Sequence, residues 1–243
     1  MSRSCVCRQG ARLPHRTAGV ATVPCVADQL GAARPVGRSL VAAAAVGYVA
    51  GLVPSASLAA RAASGGAVDL RTTGSGNPGG ANAAAVLGRR WGYGVMAADI
   101  AKGAAACVLG RRLAGDPGQH VAGVAAVLGH CYPVTHGFRG GKGVATAIGQ
   151  CAATLPLSVP VDLGAAALVA TRRRRGGAFP ATIAATMTWV VASVLWWRRQ
   201  LPNAWGGAVT IAHPLAATAS SAVIAIRFRS TSGGSVRPPG AEP

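Results

Sequence analysis

The chain is short of negative charge, of lysine and of aromatic rings. Six acidic side chains stand against 24 basic ones, for a net charge of +18. Only 12% of its 243 residues are charged, where a soluble domain carries roughly 25%. That shortfall argues against a soluble domain. With 51% hydrophobic residues and a mean hydropathy of +0.37 it points to a membrane. Aromatic residues make up 5% of the chain, too few for a base-stacking nucleic-acid surface. No nucleic-acid partner is expected. The arginines instead gather at the ends of apolar stretches, at Arg111-Arg112, Arg172–Arg175, Arg198-Arg199, Arg227 and Arg229. These are flank positions that face lipid headgroups. The cysteines Cys5, Cys7, Cys25, Cys107, Cys131 and Cys151 show neither metal-ligand spacing nor a disulfide framework.

The apolar content is largely Ala and Val, which suits helices that pack closely through small residues. Apolar stretches cover about 39–63 (broken by Pro54), 92–109, 121–136, 144–170, 178–197 and 205–226. A spanning helix needs about 20 apolar residues. The expectation is an all-α, polytopic membrane bundle of five to seven transmembrane helices, some of them short or broken. The membrane domain is expected over 38–229. An Arg-rich disordered extension is expected over 1–37 and a disordered tail over 230–243.

Only two of the cations are lysine, Lys102 and Lys142, and both sit beside glycine. Lys142 lies in Gly140-Gly141-Lys142-Gly143, and a second glycine run spans Gly74 to Asn82. Glycine-rich backbone with a compact ammonium charge suits a phosphate site. Two familiar phosphate motifs fail. The stretch Gly74-Ser75-Gly76-Asn77-Pro78-Gly79 matches GxGxxG, but the residues before it are polar and Pro78 interrupts the turn. The P-loop pattern fails because His136 stands where glycine is required and Gly143 where Ser or Thr would hold magnesium. Irregular backbone at membrane depth is tolerated only where it is buried in protein or lines a polar cavity. Asp99 and Lys102, three apart, share one helix face, and ionisable residues in a membrane segment are functional candidates.

Taken in order, these motifs resemble a known family. They are Gly74-Ser-Gly-Asn-Pro-Gly-Gly-Ala-Asn82, Asp99-Ile-Ala-Lys102-Gly103, Gly129-His130-Cys-Tyr-Pro133 and Phe138-Arg-Gly-Gly-Lys142-Gly-Val-Ala-Thr146. The resemblance is to the bacterial acyl-phosphate-dependent glycerol-3-phosphate acyltransferases, multi-pass enzymes of the inner membrane, and covers about residues 45–229. It implies transfer of a fatty acyl group from acyl phosphate to the 1-hydroxyl of glycerol 3-phosphate, giving lysophosphatidic acid. It implies no metal and no other cofactor, with membrane lipids as the remaining partners. The residues carried over are Ser75, Lys142 and His130 for catalysis, and Gly74, Gly76, Asn77, Gly79, Asn82, Lys102, Gly140, Gly141 and Gly143 for phosphate. Arg71 and Asp99 are expected to support them. Three positions depart from the family pattern. Ala85 replaces an arginine, Phe228 a histidine and Thr231 an asparagine. An impaired, phosphate-binding regulator is therefore the first alternative, and an anion transporter the second.

Overall fold

The structure, a computed structural model, describes residues 36–172, 178–206 and 209–232. Most of the expected N-terminal extension and C-terminal tail lies outside these residues, as do Cys5, Cys7, Cys25 and Arg173–Arg175. Among the described residues there is no β-strand. The described residues form eight helices in order: α1 (Val36–Gly51), α2 (Ser55–Ser64), α3 (Gly80–Leu87), α4 (Arg89–Cys131), α5 (Val144–Thr154), α6 (Val159–Arg172), α7 (Ala178–Arg199) and α8 (Ala212–Ser232). Two short 3₁₀ turns, Val134–His136 and Pro156–Ser158, flank α5. Among the described residues, three segments are long and apolar enough to cross a membrane: Ser39–Ser64, Arg89–His136 and Ala178–Arg199.

The longest helix is a hairpin. Ala114 (φ −145°, ψ 26°) and Gly115 (φ 64°, ψ −152°) leave helical geometry, and Pro117 opens the second arm. Gly115 adopts a left-handed φ that a side chain would disfavour. Pro117 has no amide hydrogen to lose at a helix start. The arms, residues 89–113 and 116–131, then run back against each other with Gly110 in contact with Gly118. The apolar stretch 92–109 lies in the first arm, and 121–136 covers most of the second and runs on through Pro133 into the 3₁₀ turn.

Small residues set the spacing, as the composition suggests. Gly47 and Gly51 of α1 lie against the backbone of Ala122 and Ala126, and Gly129 against Tyr48, closer than any Cβ would allow. Gly103 and Gly149 do the same where α5 crosses the first arm of α4. Larger side chains fill the other side of α5. Val127, Cys131, Ala147, Cys151, Trp189, Ala217, Ile224 and Phe228 form one buried cluster joining α4, α5, α7 and α8. Cys107, Cys131 and Cys151 are free and buried, consistent with packing roles.

The element limits differ from the sequence reading in three places. The stretch 144–170 is not one helix, because Pro156 and Pro160 split it into α5, a 3₁₀ turn and α6. The last helix begins at Ala212 rather than about 205, and continues past 226 to Ser232. The expected tail from 230 therefore starts as helix. The stretch between the first two apolar segments, which holds the first glycine run, also contains a helix, α3, whose first residue is Gly80.

Candidate active site

Asp99 is the centre of a buried polar cluster. Its Oδ1 accepts a hydrogen bond from Ser55 Oγ at 2.9 Å and pairs with Lys102 Nζ at 2.8 Å. His130 Nδ1 approaches the same oxygen at 3.6 Å. Three features of the chain bring these groups together. The i,i+3 spacing stacks Asp99 and Lys102 on one face of α4. The hairpin returns His130 opposite them. The break before Pro54 frees the Val53 carbonyl, which accepts from Lys102 Nζ at 3.0 Å. Both charges are almost wholly buried. They persist there because each has a partner of opposite sign and further hydrogen bonds. The cavity beside them, lined also by Ser57, Arg71 and Gly141, is small at about 20 Å³, which is room for one water.

A larger cleft of about 310 Å³ adjoins it, sharing Arg71, Pro78 and Gly140. Its walls carry Arg71, Arg139, Lys142 and Arg227. Among the described residues that line it, none is acidic. Burial lowers the pKa of Arg71, with Asp69 opposing that shift and Arg139 adding to it. Burial also lowers the pKa of the Lys142 ammonium. Three of the four cations are held from behind. Arg71 donates to Ser57 Oγ at 2.8 Å and to the Arg139 carbonyl at 3.3 Å. Arg227 donates to the carbonyls of Gly140 at 2.8 Å and Gly141 at 3.4 Å, and lies over the Tyr132 ring. Lys142 Nζ sits 4.2 Å from the centre of the Phe228 ring.

The residues expected for catalysis and phosphate contact divide in two. Ser75, Gly76, Asn77, Gly140 and Lys142 do line the cationic cleft. Asn77 Oδ1 is buried without a hydrogen-bond partner among the described residues. Asn82 is placed differently from the expectation. Its Nδ2 donates to the carbonyls of Leu70 and Thr73, and its Oδ1 accepts from the Ser75 amide, so the side chain braces the glycine loop from inside. Lys102 is engaged by Asp99 and Val53, and does not reach the cationic cleft. The glycine amides also differ from the expectation. Those of Gly76, Gly79, Gly140 and Gly141 donate to Thr73, Asn77, Cys131 and His130 carbonyls. Glycine serves geometry here. Gly74 and Gly143 have φ of 66° and 81°, and a Cβ on Gly141 would strike the His130 ring. The cationic side chains are thus what the cleft offers an anion.

Two of the cleft's cations are not among the site residues the sequence suggests. Arg139 lies inside the quoted Phe138-Arg-Gly-Gly motif, and that adjacency was the available signal. Arg227 was read as a membrane flank. It is half-buried and turned to the glycine loop, a placement that depends on how α8 packs. The three departing positions also take clear places. Ala85 is exposed on α3. Phe228 is 3% exposed within the buried cluster, 5.4 Å from the Phe179 ring. Thr231 lines the cleft and donates to the Arg227 carbonyl at 2.9 Å.

A family model described as glycerol-3-phosphate acyltransferase matches residues 41–233. Among curated proteins, the glycerol-3-phosphate acyltransferase of Geobacter sulfurreducens is 46% identical over 134 residues, covering 53% of this chain and 66% of that protein. That of Symbiobacterium thermophilum is 41% identical over 150 residues, covering 61% and 74%. The matched stretch thus spans just under two thirds of the Geobacter relative. A solved structure of PlsY, an integral membrane glycerol 3-phosphate acyltransferase in its glycerol 3-phosphate form, superposes with a TM-score of 0.64 at 29% identity. It covers 79% of this chain and 90% of its own. The lysophosphatidic acid form gives the same TM-score at 26% identity. The ordered glycine motifs, the helical membrane fold and the family match over residues 41–233 converge, and the chain belongs to the glycerol-3-phosphate acyltransferase family.

Proposed function

We propose that this protein transfers a fatty acyl group from acyl phosphate to the 1-hydroxyl of glycerol 3-phosphate at the bacterial inner membrane. The observation that carries the proposal is the cleft bearing Arg71, Arg139, Lys142 and Arg227 with no acidic residue among its described walls. Both substrates bring a phosphate, and the cleft supplies the opposite charge at the place where the glycine motifs meet. The orphan Asn77 Oδ1 adds an acceptor suited to a substrate hydroxyl. An apolar cavity of about 340 Å³ is lined by Val144, Ala147, Ile148, Trp189 and Ile224, with Asp162, Thr182 and Thr186 as polar groups in its wall. Val144 is two residues from Lys142, so an acyl chain can enter apolar surroundings while its phosphate stays among the cations.

In the reaction the 1-hydroxyl oxygen attacks the acyl carbonyl carbon. The carbonyl carbon–oxygen bond to phosphate breaks, and the hydroxyl proton leaves with the inorganic phosphate. The chain contributes position and charge. Arg71, Arg139, Lys142 and Arg227 stabilise the phosphate oxygens as negative charge builds on the leaving group. His130, held against Asp99 and beneath the Gly140-Gly141 turn, orients the loop that carries Lys142. Ser75 stands exposed at the cleft, and no histidine or carboxylate hydrogen-bonds its hydroxyl among the described residues. Direct transfer therefore fits the geometry better than a seryl intermediate.

Replacement of the family residues at Ala85, Phe228 and Thr231 favours one other reading, a protein that binds phosphate without turnover. One assay separates them. Membranes containing the wild-type protein should release inorganic phosphate from palmitoyl phosphate only when glycerol 3-phosphate is present. No release above control membranes, at any glycerol 3-phosphate concentration, would sink the acyltransferase reading.

A further inference from the structure

The position where the family pattern has histidine is occupied here by Phe228, and the replacement has a direct contact with the site. The Phe228 ring lies under the Lys142 ammonium at 4.2 Å from its centroid. The ring is itself fixed. It is 3% exposed, packs 5.4 Å from Phe179, and belongs to the cluster with Val127, Ile224 and Trp189. The preceding residue, Arg227, ties the same turn of α8 to the carbonyls of Gly140 and Gly141, immediately before Lys142. One turn of α8 therefore grips the lysine loop twice, through backbone and through the ammonium.

Lys142 has reason to need such a seat. Arg71 from the glycine loop, Arg139 from its own loop and Arg227 from α8 line the same cleft; Asp69 pairs with Arg71 at 3.8 Å, but no acidic residue among the described walls faces Lys142. An ammonium on a four-carbon stem would swing away from three like charges. The face of an aromatic ring attracts a cation through its quadrupole, more strongly once water is partly excluded. It does so without a negative charge that would repel phosphate.

We infer that Phe228 is a positioning residue for acyl transfer: its ring face holds the Lys142 ammonium in the cleft toward the glycerol 3-phosphate phosphate, in the place of the missing histidine. The inference rests on the acyltransferase reading above and names a determinant within that same site. It requires an aromatic face at position 228, and apolar bulk alone does not meet it.

The test compares Phe228→Leu with Phe228→Tyr in the full-length protein in membranes. Leu keeps an apolar side chain but has no π face, whereas Tyr keeps the face. The expected result is a rise of about tenfold in the KM for glycerol 3-phosphate in Phe228→Leu, with a much smaller change for palmitoyl phosphate. Phe228→Tyr should recover KM to within about threefold of wild type. Loss of the ring removes a stabiliser of the ammonium, so the alkaline limb of kcat/KM for Phe228→Leu should move to lower pH. A Leu variant equal to wild type in KM and pH profile would overturn the inference. So would Leu and Tyr variants impaired alike, which would mark a packing role. If Phe228→Leu does not accumulate, Phe228→Met takes its place with the same readouts. If the wild type shows no turnover, the acyltransferase reading fails by itself. Binding of inorganic phosphate to wild type and Phe228→Leu then decides the seat, which predicts weaker binding in the variant and is refuted by equal binding.

Discussion

Lys102 and Lys142, the only lysines in the chain, stand in opposite electrostatic settings. Lys102 is buried with Asp99, Val53 and, through Asp99, with Ser55 and His130. Lys142 is half-buried among three arginines, with an aromatic ring as its neighbour. The first region is internally neutral and complete. The second holds four cations together; Asp69 pairs with Arg71 at 3.8 Å, and the described walls themselves carry no carboxylate. Positive charge kept in excess, against its own repulsion, suits the anionic substrates of the proposed reaction. The neutral cluster holds α2, both arms of α4 and the Gly140-Gly141 turn in register around that place.

Substitutions that treat the two lysines alike should therefore give different phenotypes. The largest effect is expected from Lys102→Ala, which strands the Asp99 carboxylate in the interior. Breaking one side of a buried pair costs about 3–5 kcal/mol, read as a drop in Tm or a loss of folded protein in membranes. The double variant Asp99→Asn with Lys102→Met should recover most of that loss, because no charge is left unpaired. Lys142→Ala should leave Tm within about 2 °C of wild type. It should lower kcat/KM for glycerol 3-phosphate by about 10–100-fold, the scale of charge-assisted hydrogen bonds to phosphate. If both lysine variants unfold alike, the contrast between the two regions is wrong.

Smaller changes sharpen the boundary. Asn82→Ala removes the brace of the glycine loop and leaves the Leu70 and Thr73 carbonyls and the Ser75 amide without that partner. A cost of about 1–3 kcal/mol in stability is expected, together with faster proteolysis at the loop. Arg227→Ala should raise the KM for glycerol 3-phosphate by about tenfold, since it removes one charge and two anchors of the lysine loop. Ala85→Arg should change kcat/KM less than about threefold, because Ala85 is exposed and the cleft already holds four cations. A large gain from Ala85→Arg would show instead that the cleft is short of a phosphate ligand.

Much of this was legible in the chain. Scarce charge, small apolar residues and prolines at 54, 156 and 160 specify a broken-helix membrane bundle, because lipid requires every backbone group to be satisfied within the protein. The spacing of Asp99 and Lys102 was enough to pair them, since the two lie one helical turn apart. Local glycine patterns located the loops of the site.

Those same patterns could not say what each loop residue faces. Asn82 and the amides of Gly76, Gly79, Gly140 and Gly141 were read as phosphate contacts, and the structure turns them inward to hold the loops. A glycine motif records that backbone must bend or approach closely, and does not say whether its amides point to ligand or to protein. Arg227 and Phe228 were read as a flank and a loss, because their partners are some 86 residues away in sequence. The sequence by itself determined the helices, the membrane and the two lysine motifs, since those follow from local periodicity and composition. Only the tertiary structure decided which other cations gather with Lys142 in one cleft and what each of them faces, because those distances exist only once the helices are packed.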